Sequence, residues 1–144
     1  MRNFRHRMLN RVHRAILAAS GGRIAGTIAS MPVIELHTVG RVTGARRSVL
    51  LTAPVHDQDR YVLVASKGGA PRHPSWYLNL LAQPDVQVTA HGRTVRLRAR
   101  TAHAGERDEL WRTIVRAYPG YARYQQRTDR KIPVVICERP RPGS

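Results

Sequence analysis

The segment from Ala65 to Ala70, here called the glycine loop, holds the residues best suited to chemistry in this chain. It consists of an alanine, a serine, a lysine, two glycines and an alanine, and it follows an apolar run typical of a buried strand. Glycine reaches positive φ without steric cost, and turns of this kind expose backbone N–H groups. These N–H groups and Lys67 suit a flat anionic ligand, although a tight surface connection would have the same composition.

A short aromatic helix is predicted directly after the glycine loop. Pro74 and Ser75 are typical of a helix start, and Trp76, Tyr77 and Leu80 would give the helix an apolar face. The two aromatic side chains can cover the ring of a ligand, or they can fill the protein's own core. The residues alone do not separate these two interpretations.

A second candidate anion site is the segment from Gly40 to Arg47, here called the arginine turn. It holds two glycines, one threonine and three arginines within eight residues. Arginine binds phosphate and carboxylate oxygens in bidentate fashion. A solvated hairpin tip in so basic a chain would also carry arginines, so the pattern gains weight only if the turn lies beside the glycine loop.

Three tyrosines, here called the tyrosine cluster, form the third candidate: Tyr118, Tyr121 and Tyr124. Pro119 is expected to end one helix and start the next, and a spacing of three places Tyr121 and Tyr124 on the same helical face. Phenols that lie close together can wall a pocket for a flat substrate and offer protons to it. Core tyrosines whose hydroxyl groups reach water would show the same pattern.

The composition limits the functions that these residues can serve. The chain has 144 residues, which fits one domain, and a net charge of +16, which favours anionic partners. Cys137 is alone, so no internal disulfide is expected, and its strand-like surroundings predict a buried, unreactive thiol. No metal site is expected, because the histidines do not pair with cysteine at a metal-ligand spacing. The chain also lacks a Ser/His/Asp set, a carboxylate pair and a nucleotide fingerprint, so an enzyme of this sequence would depend on a cofactor.

Residues 1–30 differ from the rest of the chain, because several arginines there have no acidic residue to offset them. Phe4, Met8, Val12 and Ile16 recur every fourth residue and predict an apolar stripe along a helix. A basic amphipathic helix can lie on an anionic membrane surface, or its stripe can pack on the protein's own barrel. No apolar run approaches the ~18 residues of a membrane span, and no secretory signal is expected.

Predicted strands dominate the remaining chain. They cover residues 33–39, 48–53, 61–65, 86–90, 93–100 and 132–138. A helix is predicted over 104–118, and His91-Gly92 gives the strongest hairpin signal. Because hairpins dominate and no regular βαβ alternation occurs, we expect a mainly β fold, with a six-stranded antiparallel sheet closed into a small barrel and helices outside it. The expected domain organisation is a helical region at 1–30, a barrel domain at 31–139 and a disordered tail at 140–144.

Taken together, the arginine turn, the glycine loop and the tyrosine cluster resemble the deazaflavin-dependent nitroreductase family of actinobacteria. The resemblance covers residues 33–139 and includes Thr128-Asp129-Arg130 and Ile132-Pro133. It implies a six-stranded antiparallel split β-barrel, related to FMN-binding flavin reductases and to pyridoxamine phosphate oxidases. It also implies coenzyme F420, an 8-hydroxy-5-deazaflavin, as the cofactor in preference to FMN.

The resemblance further implies roles for individual residues. Cofactor binding would fall on Arg41, Thr43, Arg46, Arg47, Ser66, Lys67, Gly68, Gly69, Ala70, Trp76 and Asn79. The catalytic site would comprise Ser66, Tyr118, Tyr121 and Tyr124, with the tyrosines facing the substrate. The chain departs from the family at Val42, where lysine is usual, and at Leu50, where proline is frequent. Arg46 is expected to replace the cationic contact that is missing at Val42.

The predicted function is an F420-dependent oxidoreductase of the nitroreductase or quinone reductase type, which passes hydride from the reduced deazaflavin to a quinone or nitroaromatic acceptor. The alternative is a non-catalytic carrier of a lipid, a fatty acid or another cofactor on the same barrel. Nucleic-acid binding is not expected, because the basic residues are not interleaved with exposed aromatic residues on a recognisable module. We further expect a cytoplasmic monomer or homodimer, with peripheral contact to the anionic inner face of the plasma membrane.

Overall fold

The computed structural model describes residues 27–28 and 31–140. The strands in this part of the chain are β1 (Thr27–Ile28), β2 (Met31–Val39), β3 (Arg46–Thr52), β4 (Val55–Asp57), β5 (Arg60–Val64), β6 (Asp85–Ala90), β7 (Arg93–Thr101) and β8 (Val134–Glu138). The helices are α1 (Ser75–Ala82), α2 (Ala104–Ala117) and α3 (Gly120–Gln126), and a 3-10 turn covers Lys67–Gly69. The helical region predicted at 1–30 lies outside the described residues, except for Thr27 and Ile28, which form β1. The predicted tail after residue 140 also lies outside them. None of the described helices is long and apolar enough to cross a membrane.

The strands form one curled antiparallel sheet. Its order is β1-β2-β6-β7-β8-β5-β4, and β3 pairs with the edge of β2 that β6 leaves free. Only Ala53 and Pro54 separate β3 from β4. Because β3 pairs with β2 near one end of the strand order and β4 lies at the other end, this short connection brings the two ends of the sheet together and curls it. The prediction of six strands agrees with the six that contain five residues or more, and β1 and β4 are additional short strands.

Alternate residues of the strands fill two separate cores, because successive side chains of a strand point to opposite faces of the sheet. Along β5, Tyr61 and Leu63 belong to the first core, whereas Val62 and Val64 belong to the second. The first core contains side chains from β2, β5, β6, β7 and β8, so it lies inside the curled sheet, where α1 also packs. The second core lies on the outer face, beneath α2 and α3.

Most predicted elements are confirmed, with small differences at their ends. The hairpin at His91-Gly92 joins β6 to β7, and both turn residues adopt the positive φ that such turns require, +53° and +74°. The last strand begins at Val134 rather than at residue 132, because Pro133 has no N–H group to donate to a ladder. Cys137 is fully buried as predicted, and burial raises the pKa of its thiol to about 12.

Candidate active site

The glycine loop folds into a tight turn whose conformation favours glycine. The angle φ is +64° at Gly68 and +83° at Gly69, in the left-handed region. The N–H groups of Gly69 and Ala70 donate to the carbonyl oxygens of Ser66 at 2.9 Å and Lys67 at 3.1 Å. Two of the predicted anion donors therefore close the turn instead, whereas Lys67 is exposed to solvent.

Gly69 also brings the glycine loop against α3. A Cβ atom at this position would lie 2.5 Å from the carbonyl oxygen of Tyr124 and 2.9 Å from Cβ of Arg127, which is closer than real Cβ contacts. Arg127 also donates to the carbonyl oxygen of Gly68 at 3.4 Å. Two of the three predicted stretches, the glycine loop and the helix that carries the tyrosines, are therefore in direct contact.

Arg130 binds several carbonyl groups of the glycine loop at once. Its Nε donates to the carbonyl oxygen of Ala70 at 2.8 Å, its Nη2 to that of Ser66 at 2.7 Å and its Nη1 to that of Ala65 at 3.2 Å. Nη1 also lies 2.9 Å from Nδ1 of His73, which can accept this hydrogen bond only when the ring is neutral. Burial lowers the pKa of His73, and the charge of Arg130 lowers it further, so the neutral ring is favoured.

The tyrosine cluster forms a triangle of rings at the start of α3. The ring centroids of Tyr118 and Tyr121 are 5.4 Å apart, those of Tyr121 and Tyr124 are 6.0 Å apart, and those of Tyr118 and Tyr124 are 6.4 Å apart. The ring of Tyr118 lies over Gly120, where a Cβ atom would overlap the ring. Pro119 separates α2 from α3 as predicted. A residue without a side chain at position 120 is therefore needed for the triangle to close.

The three hydroxyl groups have different surroundings. Tyr121 is buried, and its hydroxyl shares a hydrogen bond of 2.8 Å with Oγ1 of Thr52, whereas Tyr118 and Tyr124 are half-buried. Burial raises the pKa of Tyr121 and the pKa of Tyr124. The neighbouring Tyr118 raises the pKa of Tyr124 further. Tyr121 and Tyr124 therefore keep their protons at neutral pH, as a proton donor must.

Asn79 fastens the arginine turn to α1. Its Oδ1 accepts from the backbone N–H of Arg41 at 3.2 Å and from Nη1 of the same residue at 2.8 Å, and its Nδ2 donates to Oγ1 of Thr38 at 3.3 Å. Asn79 is buried, so its amide serves contacts within the protein. Because α1 begins shortly after the glycine loop, this helix links the two predicted anion sites.

Other predicted site residues are buried or lie within the arginine turn. Trp76 is only 8% exposed and belongs to the first core, so little of its ring is accessible to a ligand. Ser66 is buried to the same extent. Within the turn, Oγ1 of Thr43 accepts from the N–H of Ala45 at 3.2 Å and from Nη2 of Arg47 at 3.5 Å. Thr43 therefore orients Arg47 and stabilises the turn at the same time.

Arg46 is exposed and is the first residue of β3. Together with Gly44, His37 and Arg96 it lines a cavity of about 550 Å³. Val42 protrudes from the tip of the turn with 87% of its surface exposed. It stays a prediction that Arg46 replaces the cationic contact that is missing at Val42.

The positive charge around the site has no acidic partner in the part of the chain that the structure describes. Three of the four arginines of β7, Arg93, Arg98 and Arg100, form ion pairs with carboxylates of neighbouring segments. Among residues 31–140, however, no carboxylate lies within ion-pair distance of Arg41, Arg46, Arg47 or Lys67. Cations without a partner attract anionic ligands. This set of side chains therefore fits a cofactor with a phosphate and an acidic tail, as F420 has.

Three residues that shape the site have no assigned role in the sequence-based prediction: His73, Gly120 and Arg130. Arg130 lies within the stretch that carries the resemblance, but one arginine among 25 basic residues gives no signal of its own. Gly120 follows Pro119, so the pair is equally typical of an ordinary turn. The contacts of these residues are visible only once the chain is folded.

The curled sheet and its inserted helices define a split β-barrel, which confirms the predicted fold class. A protein related to general stress protein 26, of the pyridoxinephosphate oxidase family, from Clostridium acetobutylicum has this fold with a TM-score of 0.50. It is 11% identical, over 74% of this chain and 74% of that one, so the similarity shows the fold alone.

The chain belongs to the F420H(2)-dependent quinone reductase family, whose model matches residues 9–139. An F420H(2)-dependent quinone reductase of Mycobacterium tuberculosis is 39% identical over 135 residues, which are 91% of this chain and 90% of the relative. The solved structure of the F420-H2 dependent reductase FDR-A is 44% identical, with a TM-score of 0.67, over 74% of this chain and 94% of that one. A further solved structure, a domain-swapped dimer, is 38% identical with a TM-score of 0.68, over 89% of this chain and 96% of that one. The predicted family of deazaflavin-dependent oxidoreductases is therefore confirmed.

Proposed function

We propose that this protein is an F420H2-dependent reductase that acts on a quinone, with electron-poor nitroaromatic compounds as further acceptors. When bound, the reduced deazaflavin supplies the hydride. The observation that carries the proposal is the contact of Gly69 with Tyr124 and Arg127, which places the cationic glycine loop against the helix of the tyrosine cluster. A cofactor held by the loop would then have phenols as its neighbours.

The cofactor side of the site consists of solvent-accessible cations, two of which are hydrogen-bonded to neighbouring polar side chains. We assign the phosphate and the acidic tail to Lys67 and to the three arginines of the arginine turn. Asn79 orients Arg41 and Thr43 orients Arg47, so both side chains are held before any ligand arrives. Such preorganisation strengthens binding, because less side-chain entropy is lost when the anion is bound.

The substrate side of the site consists of the tyrosine cluster. A quinone oxygen gains negative charge as the ring accepts hydride, and a phenol that donates a hydrogen bond or a proton stabilises that charge. Tyr118 and Tyr124 are the better donors, because the hydroxyl of Tyr121 is already engaged by Thr52. Tyr121 then serves as part of the pocket wall.

Cofactor choice is tested by fluorescence titration with F420 and with FMN at low and high salt. We expect F420 to bind more tightly, and its affinity to fall with salt, because exposed ion pairs are screened. Lys67→Ala should weaken F420 binding by about 1.5–3 kcal/mol at low salt, the usual value for a hydrogen bond to a charged group. Lys131→Ala is the matched control, because Lys131 is the other lysine of the chain and is also exposed. Preferential binding of FMN would contradict the proposal.

Catalysis is tested by following the oxidation of F420H2 in the presence of menadione. A reductase oxidises the cofactor at a rate that depends on the concentrations of both enzyme and quinone. The competing function, a carrier of lipid, fatty acid or cofactor, predicts tight binding of F420 or of a fatty acid without turnover. Binding without any turnover over a panel of quinones and nitroaromatics would therefore favour the carrier.

Contact with an anionic membrane and the oligomeric state both stay predictions. The membrane contact depends on the arginines and the apolar stripe of residues 1–30, whose structure is not described apart from β1. It predicts that the full chain sediments with anionic vesicles and that a chain lacking residues 1–26 does not. A homodimer is supported by the 38% identical relative that forms a domain-swapped dimer.

A further inference from the structure

Three carbonyl oxygens of the glycine loop point at one guanidinium group. Arg130 donates to Ala65, Ser66 and Ala70 from three different nitrogens, at distances of 2.7 to 3.2 Å. These acceptors are about 60 to 65 positions away in the sequence. No other described side chain makes as many contacts with this loop.

The orientation of these carbonyl groups determines where the N–H groups of the loop point. In a trans peptide the C=O and the N–H of one unit point in opposite directions, and the described chain has no cis peptide. The carbonyls of Ala65 and Ser66 share their peptide units with the N–H groups of Ser66 and Lys67. Both N–H groups therefore point away from Arg130. The N–H groups of Gly69 and Ala70, by contrast, are used to close the turn.

The backbone of Arg130 is held by a partly buried network of hydrogen bonds. The side chain of Gln125 donates to the carbonyl oxygen of Arg130 at 2.8 Å and accepts from the N–H of Ile132 at 2.9 Å. Arg107 donates to the carbonyl oxygen of Ile132 at 2.7 Å and to Oε1 of Gln125 at 3.2 Å. The segment that carries Arg130 is thus fixed to α2 and α3, the helices that cover the second core.

We propose that Arg130 is a positioning residue of the active site, which turns the N–H groups of Ser66 and Lys67 outward so that they can bind an anionic oxygen of the cofactor. The inference deepens the proposed function and rests on it. Arg130 needs no contact with the cofactor for this role, because it acts through the backbone of the glycine loop. A guanidinium suits the task, since its donors are arranged in a rigid planar fork that can reach several acceptors at once.

The test compares Arg130→Ala and Arg130→Lys with two control variants. Arg100→Ala removes an arginine that is bonded to Glu106 and Glu138 and that touches neither the glycine loop nor the network that holds Arg130. Arg98→Ala removes one positive charge from the exposed face of β7. For each protein we would measure amide hydrogen exchange, the melting temperature, the dissociation constant of F420, and kcat and KM for F420H2.

The proposal expects a local effect in the Arg130 variants. Exchange at the amides of Gly69 and Ala70 should be about tenfold faster or more in Arg130→Ala, the usual consequence of losing a charged hydrogen-bond partner, whereas the amides of β5 and β8 should be unchanged. The dissociation constant and KM should rise by a similar factor, with a smaller change in kcat. Arg130→Lys should be intermediate, and Arg98→Ala should match the wild type apart from a small uniform loss of affinity.

Two results would overturn the proposal. One is wild-type exchange and wild-type affinity in Arg130→Ala. The other is a loss of F420 affinity in Arg100→Ala that equals the loss in Arg130→Ala at an equal loss of melting temperature, because the effect would then reflect general destabilisation. A wild-type protein that does not bind F420 would contradict the proposed function instead, and the exchange data would still decide whether Arg130 holds the loop.

Discussion

At the scale of single residues, the three tyrosines of the cluster differ in what their hydroxyl groups contact. Tyr121 is buried and bonded to Thr52, whereas Tyr118 and Tyr124 are half-buried neighbours. Burial keeps Tyr121 and Tyr124 protonated, because it raises the pKa of both side chains. Proximity alone therefore does not make the three residues equivalent, and conservative variants should separate a proton donor from a structural residue.

Tyr124→Phe should change the catalytic rate, whereas Tyr121→Phe should change the stability of the fold. Loss of the Tyr124 hydroxyl should lower kcat with menadione by about tenfold or more while leaving F420 affinity nearly unchanged, as expected for a group that donates in the transition state. Loss of the Tyr121 hydroxyl leaves Thr52 without its partner and should lower the free energy of unfolding by about 1 kcal/mol, with little change in kcat. Steady-state kinetics and thermal melting measure both. If Tyr124→Phe keeps full turnover, the tyrosines only wall the pocket.

At the scale of secondary-structure elements, the site depends on how closely the glycine loop approaches α3. The backbone of Gly69 lies where any side chain would meet the carbonyl oxygen of Tyr124. Gly68 has a similar positive φ, yet no atom lies within 4 Å of the position that its Cβ would take. The two adjacent glycines therefore have the same conformational requirement but different surroundings.

Gly68→Ala and Gly69→Ala form a matched pair that isolates this contact. Both variants carry the cost of positive φ for alanine, about 1–2 kcal/mol. Gly69→Ala should lose about 1–3 kcal/mol more, because its Cβ pushes the loop and α3 apart as an overpacked core residue does. Chemical denaturation gives the stabilities, and F420 titration should show the larger loss of affinity for Gly69→Ala. Equal losses in both variants would mean that the contact with α3 contributes nothing.

At the scale of the whole molecule, two histidines are held in the neutral form by the fold. His37 is buried between Oγ of Ser48 at 2.7 Å and Oγ1 of Thr89 at 2.8 Å. Burial lowers the pKa of His37, with a further contribution from Arg46, and burial next to Arg130 lowers the pKa of His73. Both rings therefore bind a proton more readily in the unfolded chain than in the folded protein.

The protein should lose stability as the pH falls below about 6.5, the ordinary pKa of histidine. Because the folded-state pKa values are lowered, the contribution of the neutral rings is fully present above the unfolded pKa and is lost as the pH falls through the folded values. His73→Gln keeps an acceptor for Arg130 and should show a weaker dependence of melting temperature on pH. His56→Gln, at an exposed position of β4, is the control and should melt with the wild-type dependence. An unchanged pH profile for His73→Gln would exclude His73 from this effect.

The sequence by itself determined the local features of this protein. Alternation along the strands identified the six long strands, because side chains of a strand face opposite sides whatever the partner strand is. Gly68 and Gly69 indicated a turn with positive φ, which depends only on the residue and its neighbours. The resemblance of the three stretches identified the family, which the family model over residues 9–139 confirms.

The tertiary structure decided which of these features touch and which side chains they leave exposed. Trp76 and Tyr77 had two open interpretations, and both are core residues in the fold. The contacts of Arg41 with Asn79 and of Arg130 with Ala70 join residues 38 and 60 positions apart. No local pattern encodes such contacts, because they arise only when the curled sheet brings distant segments together. The residues that position the site are therefore the ones that the sequence reveals least.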